Sequence, residues 1–202
     1  MAGSKKLEGK HLQDALKLLN TIGDILDEIG IRYSLDAGTL LGVMRENRLL
    51  PWDTDMDLAI SAEYVNKIPA LIKKIRKAGY ITRLRKTAHN ISCITKGSPR
   101  LIKIYTKRWG FFKDERVMDI FIKYKQDGFY YWAVDAKQHI LQSCPQDVLD
   151  ELIPHEFNHH RHWIPKAWDA YLQRHYGDWR VVRKEWDWHK DDLCNLNKET
   201  EA

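Results

Sequence analysis

The sequence predicts a domain of mixed α and β class, α/β or α+β, and we take α+β as the expectation, with helices packed against a mixed sheet. Helix-like and strand-like patterns alternate along the chain, as in layered domains of this class. Asp127-Gly128 lies between two strand-like runs, a common signal of a β-hairpin. No repeat or Pro/Gly-rich linker divides the 202 residues. We therefore expect one domain over 1–202, with a core over about 31–135 and a helical or irregular C-terminal extension over about 136–202.

The first half of the chain yields the clearest elements. Apolar residues at helical spacing predict a helix over 11–29, which Gly30 would stop. A strand over 32–35 leads into a Gly-Thr turn and a short helix over 40–44, and a second strand follows over 55–60. A second apolar stripe then predicts a helix that ends near Gly79.

The second half is predicted to be mostly strand, then mostly helical or irregular. Strands are expected over 80–84, 91–95, 101–106, 116–124 and 129–134. Beyond them we expect a helical or irregular segment over 146–152, a His-rich extended stretch and a helix over about 166–175.

Composition excludes several classes of protein. A hydrophobic fraction of 44% excludes disorder, and no apolar run is long enough for a transmembrane segment or a signal peptide. We expect a cytoplasmic protein, with peripheral attachment at the membrane face as the alternative. Three separated cysteines indicate neither a disulfide framework nor a zinc knuckle. The net charge of +5 favours an anionic partner, but the scattered basic residues match no nucleic-acid module.

The most informative pattern is a Gly-Thr turn followed by paired acids. Gly38-Thr39 would open a helix, where backbone N–H groups bind phosphate readily. In the predicted second strand, Asp55 and Asp57 would point to the same face because residues two apart do so. Two adjacent carboxylates need a cation or a shared proton, and oxygen ligands suit Mg²⁺ or Mn²⁺. The pattern therefore predicts a metal-and-phosphate site.

Three further residues are candidates, each with an alternative role. Asp119 lies in an apolar strand, so it either joins the metal site or pairs with a base such as Lys103. Asp53 either reaches the site or braces its loop. Arg45 either reaches a phosphate or bridges to Asp53 and fixes that loop.

Residues 35–45 (Leu-Asp-Ala-Gly-Thr-Leu-Leu-Gly-Val-Met-Arg) and 51–57 (Pro-Trp-Asp-Thr-Asp-Met-Asp) closely resemble the signature of the LicD/fukutin-type phosphotransferases of the nucleotidyltransferase superfamily. Asp119 matches that family's third acid, and Pro165-Lys166 and Tyr176-Gly177-Asp178 resemble its C-terminal elements. Thr54 departs from the pattern, since the family often has an acid or an aromatic residue there.

The resemblance implies a nucleotidyltransferase fold and a definite chemistry. A metal-dependent phosphotransferase of this kind moves a phospho-alcohol, such as phosphocholine or an alditol phosphate, from a CDP-activated donor such as CDP-choline to a glycan or lipid-linked glycan hydroxyl, releasing CMP. Asp55, Asp57 and Asp119 would be the catalytic and metal-binding residues, with Gly38, Thr39, Arg45 and Asp53 binding substrate. The alternatives are a nucleotidylyltransferase that moves an NMP and a non-catalytic binding relative of the fold. The transferred alcohol and the oligomeric state stay open.

Two other clusters have ordinary structural explanations. The segment with His155, His159, His160 and His162 has no nearby cysteine and fits no closed zinc site, so we expect a polar extended segment. The tail with Trp179, Trp186 and Trp188 either binds a sugar, lies on a membrane surface or packs back onto the domain.

Overall fold

The structure is a computed structural model that describes residues 5–108, 112–135 and 140–196. In chain order its elements are α1 (Gly9–Glu28), β1 (Tyr33–Leu35), α2 (Ala37–Glu46), β2 (Met56–Ser61), a 3-10 turn (Ala62–Lys67), α3 (Ile68–Lys77), β3 (Ile81–Lys86), β4 (Pro99–Arg108), β5 (Phe112–Gln126), β6 (Phe129–Asp135), β7 (Ile140–Pro145), α4 (Gln146–Leu149), β8 (Leu152–Phe157), β9 (His160–Pro165) and α5 (Trp168–Tyr176).

Seven strands form one mixed sheet, and β8 and β9 form a separate hairpin. The main path runs β1-β2-β5-β4-β3, and β5 also pairs with β6, which pairs with β7. Only β2 and β5 pair in parallel among the described strands; every other pair is antiparallel. This arrangement of a mixed sheet flanked by helices confirms the predicted α+β class.

The predicted helix ends follow from backbone geometry. Gly30 has a φ of +64°, a conformation that only glycine adopts readily. The N–H of Ile31 then donates to the carbonyl of Leu26 at 2.9 Å, which is the closing bond of a Schellman motif. Gly79 ends α3 in the same way, with a φ of +101°. Both stops predicted from the sequence are confirmed.

Two expectations about secondary structure were wrong. The strand predicted over 91–95 is a tight turn between β3 and β4, where Ile91 and Ile94 exchange two backbone hydrogen bonds of 2.9 Å. Its apolar residues pack against Ala133 and Leu141 instead of joining the sheet.

The helical or irregular extension is in part strand. β7 adds to the main sheet, and the His-rich segment lies in the β8–β9 hairpin. The hairpin contacts α1 and β1, and its apolar residues Phe157 and Ile164 belong to the main core. Within the described ranges, no helix combines the length and the apolar character needed to cross a bilayer.

Candidate active site

The parallel strand pair brings two aspartates together at the centre of the sheet. Asp57 on β2 and Asp119 on β5 are register partners, and residues in register on adjacent strands share a face. The third predicted acid, Asp55, precedes β2 in a bend and not in the strand predicted over 55–60. Strand alternation therefore does not orient Asp55, although it lines the same cavity as the other two.

A cavity of about 580 Å³ opens over these acids. The described residues that line it include the carboxylates of Asp36, Asp53, Asp55, Asp57, Asp119 and Asp192. Arg100 and Lys103 line it as well. The acids at the cavity outnumber these two bases.

The proximity of the carboxylates is reflected in their proton affinities. Burial, followed by the charges of Asp55 and Asp119, raises the pKa of Asp57 well above its usual value. Burial and the charge of Asp55 raise the pKa of Asp53 to about 7, against an opposing effect of Arg45. The structure thus brings these acids close enough to repel one another when ionised.

Asp119 also has the basic neighbour that the sequence offered as an alternative. The Lys103 ammonium lies 3.3 Å from Asp119 Oδ2, and the two residues are register partners on β4 and β5. The ion pair is largely buried, with side-chain exposures of 15% and 5%. It supplies one positive charge to the cavity beside Asp119.

Helix α2 begins earlier than predicted, so Gly38 and Thr39 lie in its first turn instead of in a turn before it. First-turn N–H groups have no acceptor within a helix, and Ala37 and Gly38 line the cavity. Thr39 Oγ1 accepts a hydrogen bond of 2.8 Å from the Asp57 N–H. Ala37 is held at a φ of +41°, an uncommon conformation for a residue with a side chain.

Gly38 allows the loop that carries Asp53 to approach α2. A Cβ on Gly38 would lie 2.7 Å from Asp53 Oδ2, closer than such atoms pack. The structure therefore places Asp53 against the first turn of α2 and at the cavity wall, as one of its two sequence interpretations requires.

Arg45 contacts the C-terminal segment. Its Nε and Nη2 donate to Glu46 Oε1 at 3.1 and 2.9 Å, and its Nη1 donates to the Trp179 carbonyl at 3.3 Å. Arg45 and Gly38 also line a small neighbouring pocket together with Arg183. The Arg45–Trp179 contact thus holds the chain after α5 against α2.

Sequence reasoning missed a buried charged group next to this helix. Asp36, the residue before α2, accepts hydrogen bonds from the Lys123 ammonium at 3.0 Å and from the Tyr171 hydroxyl. Lys123 also lies 4.1 Å from the centre of the Trp132 ring. Burial would raise the pKa of Asp36, but Lys123, His175 and the Tyr171 hydroxyl outweigh it and lower that pKa. The signal in the sequence was Lys123 itself, a lysine within the mostly apolar strand predicted over 116–124.

A second missed cluster joins α5 to the C-terminal segment. His175, Asp192 and Cys194 are buried, and one ligand atom from each lies within 4.8 Å of the others, a group that can hold a metal ion. His175 Nδ1 and Asp192 Oδ2 are 2.9 Å apart. Burial alone lowers the pKa of His175, but Cys194 and Asp192 raise it to about 10. His175 lies 17 residues before Asp192, a spacing that matches no common metal-ligand motif.

The His-rich segment and the Trp-containing tail have different positions: the first packs in the fold, and part of the second lines the cavity. His162 is fully buried in the hairpin, with Nδ1 3.0 Å from the Tyr33 hydroxyl and Nε2 3.2 Å from Asn20 Oδ1. Trp179 is 5% exposed, so that part of the tail packs back onto the domain. Trp186 and Trp188 line the main cavity instead.

Comparison with known sequences identifies relatives. The family model described as LicD/FKTN/FKRP, nucleotidyltransferase domain, matches residues 30–167. The uncharacterized protein RT0683 of Rickettsia typhi is 25% identical over 96% of this chain and 57% of its own length. RP689 of Rickettsia prowazekii is 23% identical over 96% of this chain and 67% of its own length. The chain thus spans little more than half the length of RT0683. Ribitol 5-phosphate transferase FKRP of Homo sapiens is 43% identical over 47 residues, 23% of this chain and 10% of FKRP.

Comparison with solved structures supports the fold. The solution structure of the antibiotic-resistance factor ANT(2″)-Ia superimposes with a TM-score of 0.50 and 13% identity, covering 87% of this chain and 77% of the other. At this identity the likeness shows the fold alone, and it confirms the nucleotidyltransferase fold expected from the sequence.

Proposed function

This chain belongs to the LicD/FKTN/FKRP nucleotidyltransferase-domain family, and on that premise we propose that it is a metal-dependent phosphotransferase. Its donor is a CDP-linked alcohol, such as CDP-choline or a CDP-alditol. Its acceptor is a hydroxyl of a glycan or a lipid-linked glycan, and CMP is released.

The observation that carries the proposal is the shared cavity of Asp57, Asp119 and the first turn of α2. Carboxylates supply sites for a cation, and a helix N-terminus supplies N–H groups for an anion. The diphosphate of a substrate is negatively charged and has oxygen atoms that bind a metal ion. It would therefore use the two features together. Neither feature alone points to this chemistry.

The donor set of the cavity fits a hard divalent cation. Asp55, Asp57 and Asp119 offer only oxygen ligands, and their repulsion is the condition that a cation relieves. We propose that these three residues hold Mg²⁺ or Mn²⁺, which would neutralise the donor diphosphate and stabilise charge on its leaving phosphate. Lys103 places a further positive charge beside Asp119.

The donor phosphates are proposed to lie against α2. Ala37 and Gly38 line the cavity at the first turn of α2, where backbone N–H groups lack acceptors within the helix and the helix dipole favours negative charge. Asp53 at this wall would exclude a phosphate from its own position, so it sets one edge of the anion site. Thr39 and Arg45 would contribute indirectly, Thr39 by holding Asp57 and Arg45 by holding the Trp179 segment.

An aromatic wall offers a place for the cytosine or for a sugar ring. Trp132, Tyr176, Trp186 and Trp188 all line the cavity. Tyr176 and Trp186 pack with ring centroids 4.7 Å apart. Flat aromatic faces stack on nucleobases and on the apolar faces of sugars, so this wall suits either part of the substrates.

The proposed transfer step exchanges one P–O bond for another. The acceptor hydroxyl oxygen attacks the donor phosphorus that bears the alcohol and forms the new phosphodiester bond. The bond from that phosphorus to the bridging oxygen breaks, and CMP leaves with the bridging oxygen. The acceptor proton passes to a cavity carboxylate, for which Asp119 is our candidate. Catalysis of this kind depends mainly on positioning and charge stabilisation.

A ligand panel tests the donor without knowledge of the acceptor. Thermal unfolding is followed with Mg²⁺ or Mn²⁺ and with CDP-choline, CDP-ribitol, CDP-glycerol, CMP, ATP or GTP, on the wild type and on Asp57→Asn. A ligand present at about 100 times its dissociation constant adds about 2.7 kcal/mol of stability.

The expected result is a metal-dependent shift with a CDP-alcohol that Asp57→Asn loses. A shift with ATP or GTP alone would overturn the donor and favour NMP transfer. No metal-dependent shift with any of the ligands would contradict a phosphotransferase and favour a non-catalytic relative.

A further inference from the structure

We propose that His175, Asp192 and Cys194 form a zinc site that fastens the C-terminal segment to α5, separate from the carboxylate site for Mg²⁺ or Mn²⁺. The three side chains are 3%, 3% and 0% exposed. One ligand atom from each lies within 4.8 Å of the others, whereas ligands of one tetrahedral Zn²⁺ lie roughly 3.5 Å apart. A small contraction is therefore enough to close the site around an ion.

The contact between His175 and Asp192 shows which atoms would bind the ion. His175 Nδ1 lies 2.9 Å from Asp192 Oδ2, so Nδ1 is the ring nitrogen that faces the cluster. Metal ligands must give up their protons. An ion bound by His175 Nδ1, Asp192 and Cys194 would therefore take the place of the proton between His175 and Asp192.

The donor types select the metal. Imidazole nitrogen and thiolate sulfur suit Zn²⁺, whereas Mg²⁺ prefers oxygen ligands throughout. His175 and Asp192 also line the main cavity, so a water molecule has a route to a fourth coordination position. Zinc with three protein ligands and one solvent ligand is a common arrangement.

The surrounding hydrogen bonds already orient the ligands. Asp192 accepts from Gln142 Nε2 at 2.6 Å and from the Cys194 N–H at 2.9 Å. The Cys194 carbonyl accepts from the Ser143 N–H at 3.0 Å. These contacts hold the segment around Cys194 against β7, so an ion would lock an arrangement that the fold has prepared.

Residues 176–191 form a loop between two of the proposed zinc ligands. His175 precedes residues 176–191, and Asp192 follows them. An ion between the two would therefore close that loop at its base, and closing a loop lowers its conformational entropy. Trp186 and Trp188 lie within the loop and line the cavity. Zinc would thus order the aromatic wall without entering the reaction.

Metal binding is tested on the full chain after removal of metal with a chelator. Zn²⁺ is titrated against a chromophoric chelator, and Co²⁺ is added separately to look for a thiolate-to-cobalt charge-transfer band. The test variant is Cys194→Ser. The matched controls are Cys144→Ala, another buried cysteine, and Cys93→Ala, a half-buried one.

The wild type is expected to bind one Zn²⁺ per chain and to show the cobalt band. Cys194→Ser should lose the band and weaken zinc binding at least about tenfold, while both controls behave as the wild type. Hydrogen exchange over 176–191 should slow when zinc binds to the wild type.

Three results would overturn the zinc site. These are the absence of tight zinc binding by the wild type, a cobalt band that survives Cys194→Ser, and zinc binding without any cobalt band. The last would indicate adventitious binding at histidines such as those of the β8–β9 hairpin. If Cys194→Ser does not fold, the wild-type cobalt spectrum still decides. None of these measurements contains a nucleotide, so their outcome is independent of the proposed transferase activity.

Discussion

Asp57 on β2 and Asp119 on β5 are paired in register across the parallel strands of the sheet. Adjacent strands lie about 4.8 Å apart, and residues in register face the same side. The backbone pairing of β2 with β5 therefore determines the proximity of the two acids. A slip of one residue would turn one of them to the opposite face. The flanking residues Met56 and Met118 are fully buried and also paired, so core packing opposes that slip.

The buried charge of Lys123 predicts a large effect on stability. Lys123→Met should lower the free energy of unfolding by about 3–5 kcal/mol, because Asp36 would stay buried without its cation. The measurement is urea unfolding followed by circular dichroism. Lys125→Met is the matched control, since Lys125 and Asp150 form an exposed ion pair with side-chain exposures of 44% and 36%. The control should cost no more than about 1 kcal/mol; equal losses would contradict a special role for the Asp36–Lys123 pair.

Burial of His162 predicts a loss of stability in acid. Burial, with a contribution from His160, lowers the pKa of His162 from 6.5 to about 4. Between these values the unfolded chain binds a proton that the folded chain does not, so stability falls as the pH drops from about 6.5 to about 4. The effect is at most about 3 kcal/mol.

Urea unfolding at several pH values between 7 and 4 checks this slope. His162→Gln should show a shallower decline than the wild type, whatever its stability at pH 7. His159→Asn removes an exposed histidine of the same hairpin and should keep the wild-type slope. An unchanged slope in His162→Gln would show that acid sensitivity arises elsewhere.

Two glycines of α2 predict different responses to the same substitution. A Cβ on Gly42 would lie 2.5 Å from the backbone carbonyl oxygen of Arg48, which cannot move without the loop. Gly42→Ala should therefore cost about 1–3 kcal/mol. A Cβ on Gly38 would meet only the movable end of the Asp53 side chain, at 2.7 Å. Gly38→Ala should keep its stability within about 1 kcal/mol while weakening donor binding. The measurement is the free energy of unfolding of both variants. A larger loss in Gly38→Ala than in Gly42→Ala would contradict the packing described here.

Local patterns predicted the main helices and most strands because those elements follow periodicity and glycine stops. The His-rich hairpin was missed because its strands, over Leu152–Phe157 and His160–Pro165, mix polar and apolar residues without clear alternation. Its stability comes from contacts with α1 and β1, which no local pattern records. The turn at 91–95 was mistaken for a strand because its isoleucines have strand propensity but pack in a separate cluster.

The candidate site was predictable only where its residues share a motif or a strand. Asp55, Asp57 and Asp119 were chosen from the sequence, and the fold places them in one cavity. Lys123 and Tyr171 reach Asp36 from distant elements, and Cys194 reaches His175 in the same way. Such groups form only when the chain has folded.

The central claim is that Asp57 holds a divalent cation together with a CDP-linked donor. The most direct measurement is Mn²⁺ binding by electron paramagnetic resonance, with and without the CDP-alcohol that the ligand panel selects. Wild type and Asp57→Asn are compared, with Asp147→Asn as control, because Asp147 is exposed on α4. We predict that the donor tightens Mn²⁺ binding in the wild type and in Asp147→Asn. In Asp57→Asn, Mn²⁺ binding should weaken at least about tenfold, while the protein stays folded. Equal Mn²⁺ binding by Asp57→Asn and the wild type in the presence of donor would contradict this claim.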